Sequence, residues 1–224
     1  SWSEADQVRV AVARDVSERK RAEAMQAALY AISEAAHASA DLLALFGQVH
    51  QIIGRLLPAP NFLVALYDAQ QERLSFPYFV DEHLQPPAPA PLDDSTLSAT
   101  LVREGQARRL TLGTGDAEAP HADVGPGPLD WLGVPLHGQK GILGALAIKS
   151  YAGSARYADE DIELLQYVST QVAAAIERKQ TDSWLQHIAR HDTLTGLPNR
   201  ELFQDRCHVA LAHARRDQTR LALL

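Results

Sequence analysis

The sequence contains very little cysteine: Cys207 is the single one among 224 residues. A disulfide within the chain needs two cysteines and a cysteine-rich zinc site needs several, so the composition excludes both. Long apolar runs are also missing, since no stretch approaches the ~20 apolar residues that a membrane-spanning helix needs. We therefore expect no membrane contact within this segment, and we predict no metal site.

Basic residues are outnumbered as well, with 21 Lys and Arg against 28 Asp and Glu, which gives a formal charge of −7. An acidic chain without a basic stripe lacks the electrostatic footprint of nucleic-acid-binding proteins, so we expect no nucleic acid partner. Apolar residues make up 46% of the chain, enough for one sizeable core. The length predicts one to two domains.

The first residues, Ser1–Arg14, contain no apolar region of the kind found in signal peptides. Together with the single cysteine, this is typical of a protein in the reducing cytosol. We therefore expect a cytoplasmic location, and sequence upstream could still tether the parent protein to a membrane.

Apolar residues at both ends of the chain follow a helical repeat. Residues 8–16 alternate like a short strand, and a seam with spacings of three and four then runs from Ala22 to Ala36. A similar pattern returns in the second half of the sequence. Either the two helices pack on their own domain, or they form a dimeric coiled coil in a homodimer. The residues that we assign to these dimer and signalling helices are Met25, Leu29, Ile32, Leu165, Val172 and Ile176.

Between these ends, the pattern predicts an α+β domain with an antiparallel sheet. A long helix should begin at Asp159, because acidic residues favour a helix N-terminus, and should continue to about His191. At about 1.5 Å per residue such a helix is longer than a small domain needs, so it should leave the domain. The other predicted elements are an amphipathic helix over 41–57, a hairpin of 62–67 with 73–80, a helix capped by Asp94 or Ser95 and ended by Gly105, and strands over 131–137 and 142–149.

Four stretches of this pattern resemble the GAF family across residues 25–179. They are Ala28–Ser33 (ALYAIS), Leu132–Leu136 (LGVPL), Ile142–Leu146 (ILGAL) and Tyr157–Leu165 (YADEDIELL). The resemblance implies a six-stranded antiparallel sheet flanked by helices, with long signalling helices at the N- and C-terminal ends. Some GAF domains bind a bilin or reduce methionine sulfoxide through cysteines, but Cys207 lies outside this region, which excludes both activities.

Asp192–Arg200 (DTLTGLPNR) resembles the opening signature of GGDEF domains, the family of diguanylate cyclases. Here Thr195 and Gly196 should form a turn and Pro198 should lie at a helix start, where its missing N–H costs nothing. Members of this family condense two GTP into cyclic di-GMP with Mg²⁺ held by carboxylates. The expected first strand begins only at Leu221, so we predict no catalytic residue and no cofactor in this segment. Mg²⁺ and GTP would belong to the missing part of the GGDEF domain.

Val10–Glu23 resembles the last strand of a PAS domain and its exit helix. The resemblances together imply a parent protein that runs from PAS through GAF to GGDEF. The implied organisation is the end of a PAS-like domain (1–17), a signalling helix (18–36), a GAF-like sensor domain (25–179), a linker helix (180–191) and the N-terminal fragment of a GGDEF domain (192–224).

An unknown small-molecule ligand is the binding partner that the GAF resemblance implies. By analogy with the family, the pocket for this ligand would be lined by Tyr78, Val80, Thr100 and Trp131. The aromatic rings could stack on a flat ligand. The alternative is that these aromatic residues are only core. Lys149, Tyr157 and Asp159-Glu160 are also a partial match to the motif of cyclic-nucleotide-binding GAF domains.

The sequence therefore predicts a sensory module that controls a downstream diguanylate cyclase in cyclic di-GMP signalling. Two alternatives stay open. The parent could instead carry a degenerate GGDEF domain followed by a cyclic di-GMP phosphodiesterase, or the GAF-like body could be a ligand-free dimerisation spacer.

Overall fold

A computed structural model of the chain describes residues 4–39, 41–93, 96–112, 123, 129–151, 156–192 and 195–220. The chain forms two compact units, Ser1–Ile176 and Glu177–Leu224. The first unit contains an antiparallel six-stranded sheet with the strand order β3-β2-β1-β6-β5-β4. The elements are α1 (Glu4–Ala38), α2 (Leu42–Ile53), β1 (Asn61–Asp68), β2 (Arg73–Val80), β3 (Ala90–Pro91), α3 (Leu97–Glu104), β4 (Arg108–Leu112), β5 (Leu129–Gly138), β6 (Gly141–Ser150), α4 (Asp159–Arg190) and α5 (Arg200–Arg216).

This architecture confirms the predicted α+β fold with six antiparallel strands and flanking helices. The hairpin of β1 and β2, the hairpin of β5 and β6, and the helices α2 and α4 all lie where the sequence pattern predicts them. The short strands β3 and β4 were not predicted. β3 is two residues long, too short to show an alternation, and β4 is a five-residue strand that follows the C-cap of α3 closely.

Local capping fixes the ends of two helices. Asp41 caps α2 by accepting a hydrogen bond from the Ala44 N–H at 2.7 Å. Thr96 caps α3, and Gly105 ends it in the left-handed region at φ 66°, as predicted. The prediction that Asp94 or Ser95 caps α3 was wrong about the residue, and both lie outside the described residues.

The prediction of a strand over 8–16 was also wrong, because α1 is helical from Glu4 onwards. An alternating pattern produces a strand only where a neighbouring strand satisfies its backbone groups, whereas a helix satisfies them internally. Assignment of residues 1–17 to a PAS-like domain stays a prediction.

The sheet separates two hydrophobic cores. On one face, α1, α2 and α4 cover the alternate β5 residues Leu132, Val134 and Leu136. On the other face, α3 covers a second core that contains Trp131 and Leu101. Successive residues of β5 therefore contribute to opposite cores, as a pleated strand requires.

A bulge in β2 changes which face its side chains occupy. Val64 of β1 pairs with Tyr78 and Leu66 pairs with Ser75, so β2 carries one extra residue between these pairs. The extra position coincides with Phe76-Pro77, and bulges tolerate proline because it cannot donate to the ladder. Leu74 therefore lies in the α3-side core, but Tyr78 packs against the opposite one.

Helix α4 is continuous through residue 190, and the second unit contains its C-terminal part followed by a turn and α5. This agrees with the predicted end near His191. No helix among the described residues combines the length and apolar character needed to cross a membrane.

Candidate functional site

A buried lysine lies at the centre of a polar cluster on the α3 side of the sheet. Lys149 of β6 is directly opposite Trp131 of β5 and is fully buried. Its Nζ forms an ion pair with Asp81 and donates a hydrogen bond to the Asp123 carbonyl at 2.8 Å. Nζ also lies 5.1 Å from the centre of the Phe79 ring, within the range of a cation–π interaction. The cluster holds a charged side chain in a place that water does not reach.

Asp81 receives hydrogen bonds from several directions. Its Oδ1 accepts from the backbone N–H of His83 at 2.8 Å and of Leu84 at 2.9 Å, and the Tyr151 hydroxyl lies 3.1 Å from Oδ2. Burial alone would raise the pKa of the Asp81 carboxyl, but Lys149 and these backbone donors hold it below its usual value. Burial lowers the pKa of Lys149, and the attraction of Asp81 opposes that change.

Asp123 connects this lysine to the N-terminus of α3. Its carboxylate accepts from the backbone N–H of Leu97 at 2.8 Å and of Ser98 at 3.0 Å, and from the Ser98 hydroxyl at 2.6 Å. These bonds satisfy donors that a helix leaves open in its first turn. A change at Lys149 therefore reaches α3 through one residue.

Sequence reasoning did not identify Asp81 or Asp123. The available signal was Lys149 itself, a cation at the end of an apolar strand, because such a residue needs an acidic partner when it is buried. Nothing in the sequence indicated which of the 28 acidic residues would supply that partner.

Trp131 lies in the α3-side core and is fully buried. Among the residues that the structure describes, its indole Nε1 has no hydrogen-bond partner. The ring occupies the space above Gly133, where any Cβ would overlap it, and Leu101 of α3 lies against the same position. A buried donor without an acceptor costs free energy, which an acceptor atom of a ligand would recover.

The structure does not bring the four predicted pocket residues together. Trp131 and Thr100 are buried on the sheet and on α3 respectively, whereas Tyr78 lies in the core on the other face. Val80 is 40% exposed at the end of β2. The β2 bulge is the reason, because it reverses the side of the sheet on which Tyr78 lies.

Tyr78 instead belongs to an aromatic group with α2. Its hydroxyl lies 3.0 Å from His50 Nδ1, and its ring meets those of Phe46 and Phe62 edge-on. His50 Nε2 lies 2.9 Å from the Ala59 carbonyl, which can only accept, so Nε2 carries a proton, and in the neutral ring Nδ1 is the acceptor for the Tyr78 hydroxyl. Burial raises the pKa of the Tyr78 phenol.

The partial cyclic-nucleotide motif is also dispersed. Lys149 is paired with Asp81, the Tyr157 hydroxyl donates to the Pro58 carbonyl at 2.6 Å, and Asp159 pairs with Arg109 at 3.2 Å. These residues do not surround a common site. Within the described ranges, no group of three or more His, Cys, Asp or Glu side chains is placed to hold a metal ion.

Most residues predicted for a dimer seam are used inside the domain. Four of them are fully buried in the core on the α4 side: Ile32, Leu165, Val172 and Ile176. Their burial agrees with the alternative that the helices pack on their own domain, and their assignment to dimer and signalling helices stays a prediction. A narrow seam and a core-facing stripe share the same spacing, so the sequence pattern alone does not distinguish them.

Met25 and Leu29 remain partly exposed and line a groove between α1 and α4. The groove has a volume of about 630 Å³. Its other lining residues are Ala22, Glu160, Glu163, Leu164 and Tyr167.

In the second unit, the segment around Asp192 forms a compact turn through its own hydrogen bonds. The Asp192 carboxylate accepts from the Thr195 N–H at 2.9 Å and from the Thr195 hydroxyl at 2.8 Å. The backbone N–H of Asp192 donates to the Leu197 carbonyl at 2.8 Å, and Gly196 adopts φ 69°. A left-handed residue is needed at this point, which explains the glycine.

Asn199 connects the two helices on either side of this turn. Its backbone N–H and side-chain amide donate to the carbonyls of Arg190 and Ala189, at 2.9 and 2.7 Å. Its Oδ1 accepts from the Leu202 N–H at 3.0 Å and so caps α5. The predicted turn and following helix are confirmed, but Asn199 is the N-cap and Pro198 precedes it. The predicted strand from Leu221 lies outside the described residues.

Comparison with known proteins identifies the first unit. The sequence model of the GAF domain matches residues 39–177, more than half of the chain. The chain belongs to the GAF domain family. Members of this family are sensory and regulatory domains of signalling proteins, and the match lies within the predicted range 25–179. A search of curated proteins finds no match.

Solved structures share the GAF fold at low sequence identity. The GAF domain of a phosphoenolpyruvate-protein phosphotransferase from Coxiella burnetii is 16% identical, with a TM-score of 0.59 over 72% of this chain and 98% of that one. The free methionine-R-sulfoxide reductase from Neisseria meningitidis is also 16% identical, with a TM-score of 0.57 over 70% and 91%. A fragment of a methyl-accepting chemotaxis protein has a TM-score of 0.53 at 16% identity, over 69% and 98%.

Proposed function

We propose that this chain is the regulatory segment of a cytoplasmic signalling protein, in which the GAF domain controls a diguanylate cyclase that begins at Asp192. The observation that carries the proposal is the continuity of α4. Its N-terminal half contributes Leu165, Val172 and Ile176 to the GAF core, and the same helix runs on to Arg190. A helix anchored in this way has to move when the core around it changes.

The turn at Asp192–Asn199 supports the cyclase as the output. Its hydrogen bonds occupy backbone carbonyls at the end of α4 and cap the start of α5. We therefore expect a displacement of α4 to move α5 with it. These are the residues that resemble the GGDEF signature. GTP is a cytoplasmic substrate, which agrees with the proposed location.

The proposed ligand site lies on the α3 side, with Trp131 as its donor. A ligand with a flat ring and a hydrogen-bond acceptor would stack on an aromatic face and accept from the indole N–H, which has no partner within the described part of the chain. It would also displace the packing of Leu101 against the ring. Such a ligand can shift the protein between two states only by binding one of them better.

A ligand-free spacer is the second candidate, and one observation favours it. Trp131 is fully buried, and its ring fills the space above Gly133. Thermal-shift screening with nucleotides, purines and aromatic carboxylates separates the two readings. A melting shift that disappears in Trp131→Phe supports the ligand site, whereas no shift with any compound favours the spacer.

The proposed assembly is a homodimer through the groove of α1 and α4. Its apolar floor of Met25, Leu29 and Leu164 would be covered by the same surface of a second chain. Light scattering of the purified chain at tens of micromolar should give twice the monomer mass. Replacement of Met25 and Leu29 by Glu should return the monomer mass without unfolding, because neither residue is fully buried.

A chimera tests the whole proposal. Residues 1–191 are joined, in the register of Asp192, to a GGDEF domain of known cyclase activity, and cyclic di-GMP formation is measured with GTP and Mg²⁺. One to four alanines are inserted after Thr181, on the exposed part of α4. Each inserted residue rotates the attached GGDEF domain by about 100° about the helix axis relative to the GAF core. We expect the cyclase rate to rise and fall with the insertion length.

The control inserts the same alanines in the exposed turn at Gln70, which leaves α4 unchanged and should leave the rate unchanged. A rate that is indifferent to the α4 insertions would count decisively against regulation through this helix.

A further inference from the structure

The strand β4 contributes consecutive residues to opposite faces of the sheet. Leu110 pairs with Trp131 and packs against the α3-side core. Its neighbour Arg109 reaches the start of α4, where Nη1 donates to the Tyr157 carbonyl at 2.6 Å and lies 3.2 Å from the Asp159 carboxylate. Leu110, which packs on the proposed ligand side, is therefore the immediate chain neighbour of Arg109, which contacts the start of the signalling helix α4.

The segment that Arg109 holds is fixed at other points too. Tyr157 is 3% exposed, and its hydroxyl donates to the Pro58 carbonyl at 2.6 Å. Burial raises the pKa of this phenol, and the nearby carboxylates of Asp130 and Asp161 raise it further, so it stays a donor. Asp161 accepts from the Ala158 N–H at 2.7 Å within the first turn of α4. The start of α4 is thus anchored to the loop before β1 and, through Arg109, to β4.

We infer that Arg109 is a positioning residue that couples the core around Trp131 to the first turn of α4. The inference rests on the proposed function, since it names the connection by which the α3 side would reach the signalling helix. Leu110 moves with Trp131 because the two are paired residues of neighbouring strands, and Arg109 carries that movement to Tyr157 and Asp159.

The exposure of the ion pair argues for coupling over simple stabilisation. The side chain of Arg109 is 40% exposed and that of Asp159 is 89% exposed. Ion pairs between exposed groups contribute little to the free energy of unfolding because water screens them. The loss of Arg109 should therefore loosen the first turn of α4 without unfolding the domain.

Arg108 offers a matched control on the same strand. Its guanidinium makes two hydrogen bonds with Glu104, both at 2.7 Å, and its side chain is 49% exposed. Arg108→Ala thus removes a comparable exposed arginine that contacts the end of α3 and not α4.

Hydrogen exchange of the whole chain tests the coupling. Arg109→Ala should speed exchange of the amides in the first turn of α4 about fivefold or more, with the melting temperature nearly unchanged. Arg109→Lys should restore most of the protection, because a single nitrogen makes both contacts. Arg108→Ala should leave α4 exchange as in the parent chain.

The decisive experiment is a double-mutant cycle that combines Trp131→Phe with Arg109→Ala. We expect this substitution to speed exchange in both β4 and the first turn of α4, but only in β4 when Arg109 is already alanine. Leu110→Ala serves as a second perturbation if Trp131→Phe does not fold. Equal effects of Trp131→Phe on α4 with and without Arg109 would overturn the inference.

This experiment uses neither a ligand nor a cyclase. A failed cycle therefore rejects Arg109 as the connection and leaves ligand sensing open, whereas a failed ligand screen leaves the coupling intact.

Discussion

Replacement of Lys149 by Met removes the cation from a buried ion pair and leaves its carboxylate behind. The side chains of Lys149 and Asp81 are 1% and 0% exposed, so water cannot replace the lost partner. Asp81 keeps its bonds from the N–H groups of His83 and Leu84 and from the Tyr151 hydroxyl, which offset part of the loss. Removing one member of a buried pair costs about 3–5 kcal/mol of unfolding free energy.

That loss corresponds to a fall in melting temperature of roughly 6–20 °C for a domain of this size. Urea unfolding followed by circular dichroism measures the free energy directly. The double variant with Lys149→Met and Asp81→Asn removes both charges, so it should lose much less than the sum of the two single variants. Arg108→Ala breaks an exposed pair and should cost at most ~1 kcal/mol.

The result that would refute this reasoning is additivity. If the double variant loses the sum of the single losses, the two charges do not depend on each other. A loss below ~1 kcal/mol in Lys149→Met alone would mean that the site is open to water in solution.

Three further predictions follow from the same structure. The pKa of Asp81 is below its usual value of 3.8. Its contribution to the free energy of unfolding is therefore complete above that pH and is lost as the pH falls through the lowered pKa. In urea titrations, the difference in unfolding free energy between the parent chain and Asp81→Asn should shrink below about pH 4. Gly144 has φ 156° and its Cβ would overlap a backbone carbonyl of β1, so Gly144→Ala should cost at least ~3 kcal/mol by urea unfolding, whereas Gly141→Ala, with open space around it, should cost less. Ile32→Ala should lower the unfolding free energy by about 2–5 kcal/mol, because the side chain is fully buried in the domain core, and Tyr30→Ala, at a side chain that is 70% exposed, should have little effect.

Much of the fold could be predicted because its signals are short-range. The hairpin of β1 and β2 and that of β5 and β6 have strands rich in branched residues on either side of polar turns. The turn at Asp192–Asn199 is specified within one short segment, since the hydrogen bonds described there join residues no more than 10 positions apart. Two short elements were missed: β3 has two residues, too few for a period to be visible, and β4 has five.

The candidate site was predictable only in part. Trp131 was identified from its family position, and the structure buries it beneath α3, where its indole N–H has no acceptor among the described residues. Tyr78 was assigned to the same pocket from its family position too, but the bulge in β2 places it on the other face of the sheet. One extra residue in that strand moves every later side chain to the other face, and a sequence pattern does not mark such a residue reliably.

The sequence by itself determined the two main hairpins and the helices α2, α3 and α4 of the GAF region, and it excluded chemistry that needs several cysteines. These properties follow from local periodicity and from composition. Only the tertiary structure decided that Lys149 pairs with Asp81, that Asp123 accepts hydrogen bonds from the first turn of α3, and that Ile32 and Ile176 face the core of their own domain. Such pairings join residues far apart in the chain, and the same spacing of apolar residues suits a domain core and a dimer seam alike. Which one forms depends on the surfaces that the rest of the fold brings against the helix.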